Sequence, residues 1–102
     1  MKNENHVFLP YALYVLGIIF VTEQQAQKAE ECFEEGLLLA REVSDKYLEA
    51  QLLRVLGDLH LANGKRSCGI DYLRQSLAGF SEMKMTDNII GVQLAKRSLA
   101  SA

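Results

Sequence analysis

The chain has 102 residues, a net charge of −2, 49% hydrophobic residues and 24% charged ones. That balance belongs to one small folded domain, not to a disordered segment. Without a basic excess it is not built to neutralise phosphates, which excludes charge-driven binding to nucleic acid or to an anionic membrane surface.

Residues 1–8 read as a flexible leader, and residues 9–102 as a single helical domain. The stretch from Val7 to Val21 carries no charge and is shorter than the roughly 20 residues that cross a bilayer. Pro10 and Gly17 interrupt it, and it lacks a basic flank and a cleavage site, so it is neither a span nor a signal peptide. The first helix is predicted over Leu9 to Thr22, with Pro10 in its first turn, where the missing N–H costs nothing. A polar turn at Glu23 to Gln25 leads to a second helix ending near Val43.

Asp45 is a good N-cap for a third helix, which ends at the C-capping pair Asn63-Gly64. Within it Leu52, Leu53, Val55, Leu56, Leu59 and Leu61 form a broad apolar stripe at helical spacing. A fourth helix is predicted from about Ser67 to Met83. Thr86 or Asp87 then caps a fifth, Asn88 to Leu99. No stretch alternates as a strand does, so the fold class is all-α. Its units are two antiparallel helical hairpins, at about 10–44 and 45–84, and one unpaired helix at about 87–99.

The sequence repeats itself. Val15-Leu16-Gly17 returns in the second hairpin as Val55-Leu56-Gly57, with Leu13/Leu53, Leu37/Leu77 and Glu42/Glu82 in the same register. A fixed period of this length is the mark of an array whose units bury their apolar faces on one another. Gly17 and Gly57 are placed to let the first helix of each hairpin approach the second closely, with Ala29 and Gly69 doing the same from the other side.

These residues resemble the tetratricopeptide repeat family. Its hairpin motif is matched by Leu16, Gly17, Phe20, Ala29 and Phe33 in the first copy. In the second copy Leu56, Gly57, His60, Gly69 and Leu73 stand at those places, His60 replacing an aromatic. The 40-residue period is similar to the longer-helix variety of bacterial regulators and signalling adaptors.

The resemblance implies a right-handed stack of antiparallel hairpins, five helices in all with the last, about 87–99, as a capping helix, and a partner-binding groove lined by the first helix of each hairpin. By motif register the groove residues are Tyr11, Tyr14, Ile18 and Val21 in the first repeat, and Gln51, Arg54, Asp58, Leu61 and Ala62 in the second. The lysine and asparagine clamp that holds acidic chain ends in the chaperone-binding type is absent, since Tyr14, Ile18 and Asp58 stand there. An apolar helix or an identical subunit suits this surface better. The bland alternative for Tyr11 and Tyr14 is that they pack only on the N-terminal tail.

Other clusters read as ordinary. Glu30, Glu31, Glu34 and Glu35 form an acidic stripe, read as a solvated face, with docking of a basic partner as the alternative. Lys65 and Arg66 sit at a helix start, unfavourable for cations, and read as loop residues reaching into water. His60 and Asp58, two apart, do not share a helix face and make a poor metal pair, so His60 reads as a core or groove histidine. Cys32 and Cys68 form no C-x-x-C pair and no disulfide framework. They read as buried or half-buried residues of a cytoplasmic protein. No catalytic motif, cofactor site or metal site is expected.

The function expected is therefore a non-enzymatic protein–protein interaction scaffold that binds a peptide, a helix or an identical subunit through the groove. A helix as apolar all round as residues 7–21 must be buried all round, which predicts a homodimer through the first repeat. The alternative is a sensory or oligomerising fragment of a larger bacterial transcription regulator or signalling ATPase, in which upstream residues would cover that face.

Overall fold

The structure, a computed structural model, describes residues 3–84 and 90–102, with backbone alone for residues 3–7. Five helices follow one another: α1 (Asn3–Thr22), α2 (Ala26–Glu42), α3 (Lys46–Ala62), α4 (Arg66–Glu82) and α5 (Ile90–Ser101). No strand occurs among the described residues, and the chain is all-α as its periodicity requires.

Two ends differ from expectation. α1 starts at Asn3 instead of Leu9, so residues 3–8, read as part of a flexible leader, continue the helix. Pro10 consequently lies inside α1, where it removes one intrahelical hydrogen bond. Its ring is fully buried, and that contact offsets part of the loss. At the other end α5 runs on to Ser101, past the expected Leu99, and its expected start, Asn88, lies outside the described residues. The proposed caps Thr86 and Asp87 fall outside the described residues.

The three central helices each have 17 residues. They begin at Ala26, Lys46 and Arg66, evenly spaced, so the repeat is built of two equal half-units. One turn geometry joins them all. Gln24, Ser44, Gly64 and Lys84 have φ of 62°, 60°, 81° and 59°, the left-handed conformation that ends a helix in a Schellman motif.

The hydrogen bonds repeat with them. Gln25, Asp45 and Lys65 donate their backbone N–H groups to the carbonyls of Phe20, Ala40 and His60 at 2.8, 2.9 and 2.8 Å. Each of these residues then serves as N-cap of the next helix. Of the three, Asp45 alone adds a side-chain cap, its Oδ1 accepting from the Leu48 N–H at 3.0 Å.

Joined by these turns, α1 pairs with α2 and α3 with α4, and α3 also touches α1, α2 and α5. The glycines explain the closeness of each pair. A Cβ on Gly17 would enter the ring of Phe33, and one on Gly57 would lie 2.6 Å from Leu73 Cγ and 3.0 Å from the Gly69 carbonyl oxygen. Phe33 and Leu73 are themselves one repeat apart, so the two glycines occupy equivalent environments.

The core follows the same plan. α2 and α3 share one buried cluster containing Phe33, Leu37, Leu52, Leu56 and Leu59. Beyond it Ala50, Phe80 and Val92 seat α5 on α3 and α4. Ser76, fully buried, donates to the Ala50 carbonyl at 2.8 Å and ties α4 to the start of α3.

Candidate functional site

α1 and α3 run side by side in the same direction, as the first helices of stacked hairpins do. Between them lies a cavity of about 330 Å³ lined by Ile18 and Val21 of α1, by Arg54, Val55, Asp58, Leu59 and Ala62 of α3, and by Phe33 of α2. Of the expected groove residues it brings together Ile18, Val21, Arg54, Asp58 and Ala62.

Tyr14 stands at the edge of this cavity. Its ring centroid is 6.4 Å from that of Phe33, and its hydroxyl accepts a hydrogen bond from Arg54 Nη2 at 3.2 Å. Arg54 is held at every nitrogen. Nε donates to Gln51 Oε1 at 3.1 Å, and Nη1 lies 3.8 Å from Asp58 Oδ2. Gln51 therefore supports the wall without lining it. The groove thus has a largely apolar surface, aliphatic but for the Phe33 ring, with the paired Arg54 and Asp58 side chains on its α3 side.

Two expected residues are elsewhere. Tyr11 sits toward the α2–α3 turn, where its hydroxyl donates to the Asp45 carboxylate, which raises the phenol above its ordinary pKa. Leu61 is turned away from the cavity. Its Cγ would be 2.7 Å from a Cβ on Gly69, so it fills the notch that glycine leaves on α4. Register on the motif placed Leu61 in the groove, but the small residue opposite draws it into the hairpin. Val55 and Leu59, read only as core, both line the cavity as well; their place in the apolar stripe was the signal.

The larger feature is the outer face of α1. Helix α3 shows what the same face looks like when covered, because α2 lies against it. Val55, Leu56 and Leu59 are 6%, 0% and 7% exposed, whereas their counterparts Val15, Leu16 and Ile19 are 55%, 42% and 45% exposed. Phe8, Leu9, Tyr11, Ile18 and Val21 are exposed too. So many large apolar side chains exposed along one helix are unusual on the surface of a soluble monomer. No helix among the described residues is long and apolar enough to cross a membrane.

The acidic stripe divides. Glu31 and Glu35 flank Cys32, whose thiol is pushed up chiefly by burial and further by their charges. Glu30 and Glu34 instead turn toward His60 of α3, the donor atoms of all three lying within 4.8 Å of one another. His60 is 6% exposed, and its ring stacks on Tyr72 with centroids 5.2 Å apart and planes at 7°. Its Nε2 is 3.7 Å from Glu30 Oε2, and neither ring nitrogen makes a hydrogen bond. Glu34 is raised above the ordinary carboxylate range by desolvation and then by Glu30. No spacing in the chain signals this cluster, because its members come from two helices that meet only in the fold. Cys68, read as buried or half-buried, is exposed on α4; both cysteines are free.

Comparison with known proteins adds no relative: no protein-family model matches the chain, and no curated protein or solved structure matches it.

Proposed function

We propose that this protein is a non-enzymatic interaction scaffold of the tetratricopeptide type that buries the outer face of α1 against a helix, and that the helix is α1 of a second copy. One observation carries the reading: the covered and uncovered versions of the same face, α3 and α1, stand in one molecule. The face asks for what α2 gives α3, an apolar helix laid alongside. A second copy supplies one, because residues 7–21 carry no charge and two such helices bury no unpaired ion when they meet about a two-fold axis. The cavity between α1 and α3 continues from this face and receives a side chain of the incoming helix. Free cysteines and the absence of a basic excess fit a cytoplasmic protein with protein partners.

The same bare face also suits a fragment of a larger regulator, whose upstream helix would lie where α2 lies on α3. Site-directed cross-linking separates the two. Val15→Cys, in a chain carrying Cys32→Ala and Cys68→Ser, forms an interchain disulfide under mild oxidation, while Gln27→Cys on the exposed side of α2 stays uncoupled. Equal coupling at the two positions would contradict the two-fold contact.

A further inference from the structure

The geometry points to a site for a divalent transition-metal ion of the zinc type, held by Glu30 and Glu34 of α2 and His60 of α3. This is independent of the docking face on α1.

The ligand set comes first. Glu30 and Glu34, four apart on one helix face, aim two carboxylates at the same place, a like-charge arrangement that disfavours the helix unless a cation answers it. His60 supplies what an acidic pair alone lacks. It is an imidazole more than nine-tenths buried, with neither nitrogen hydrogen-bonded, and a buried polar group without a hydrogen bond is costly. Its Nε2 is directed at Glu30, 3.7 Å away. Stacking on Tyr72 fixes the ring plane, so the imidazole is oriented before any ion arrives.

The dimensions fit. A tetrahedral zinc ion with Zn–N and Zn–O bonds of about 2.0–2.2 Å sets neighbouring ligand atoms about 3.3 Å apart. The donor atoms here span at most 4.8 Å. Glutamate side chains close that difference by changing rotamer, since Glu34 is exposed and Glu30 is 28% exposed. Glu34 also leaves the site open on its solvent side, so a water completes the fourth position. The nitrogen donor selects zinc and its transition-metal neighbours over magnesium and calcium, which prefer all-oxygen sites. Lys65 acts on Glu34 only through its field and is no member of the cluster. An ion bound here would link the first hairpin to the second.

The test uses the full chain, stripped with a chelator, and follows zinc by calorimetry and cobalt(II) by visible absorption. One equivalent of zinc binds per chain and raises Tm, and binding weakens by at least about tenfold in Glu30→Gln and in Glu34→Gln. Glu31→Gln, on the same helix outside the cluster, and His6→Asn, in the N-terminal segment, bind as the parent does. His60→Asn abolishes binding; should that variant fail to fold, the exposed Glu34→Gln decides alone. No saturable uptake at submillimolar zinc would overturn the site and leave His60 an imidazole paired with glutamate. So would uptake that survives Glu34→Gln or vanishes in His6→Asn.

Discussion

Gly57 is the residue on which the second hairpin turns. It has no side chain because Leu73 and the Gly69 backbone occupy the place a Cβ would take. Gly57→Val therefore forces α3 and α4 apart and costs about 1–3 kcal/mol, which denaturant unfolding measures as a lower midpoint at unchanged slope. An unaltered midpoint would mean the helix pair is not in the register described. This residue was legible in the sequence because it recurs as Gly17. Leu61 was not, since motif register fixes a position along the helix but not which neighbour the side chain meets. His60 was read as a core or groove histidine and is buried, yet its carboxylate neighbours could not be seen. Pairing across α2 and α3 leaves no periodic trace in the chain.

At the scale of the element, the recurring unit is a 17-residue helix followed by a short turn, used three times in succession. The turns at Glu23 to Gln25 and before Asp45 were read from polar residues and a cap, but only at Gly64 did a glycine mark the left-handed residue itself. Gln24, Ser44 and Lys84 adopt the same conformation at a steric cost glycine avoids, so the half-period stayed hidden behind the full one. Ser44→Gly relieves that cost. After the extra chain entropy of glycine is deducted, it stabilises the fold by about 0.5–1 kcal/mol, a rise in Tm of about 2–8 °C in a thermal melt. Gly64→Ala does the reverse. If Ser44→Gly lowers Tm, the turns are not equivalent. The helix type and most boundaries followed from apolar spacing and from Asp45, whereas the start of α1 did not, since Pro10 reads as a first-turn residue and here lies in mid helix.

The whole molecule is a slab of 44 × 34 × 20 Å, its thin dimension that of two packed helices at about 10 Å each. At one end α5 seats Val92 and Gly91 over Phe80. The other end is α1, with aliphatic and aromatic side chains facing water where α3 has α2. A repeat array buries its core by stacking neighbours, and a terminal face without a polar side calls for one more layer. That layer is the function proposed, and the bareness of α1 was foreseeable because an uncharged helix in a two-hairpin array has too few neighbours. Static light scattering over a wide concentration series tests this most directly. The parent chain, of 11.4 kDa, is expected to approach twice that mass as concentration rises, and Ile19→Lys to hold it at the mass of one chain with its helix content intact. A parent chain that keeps the mass of one molecule at the highest concentration would contradict the account.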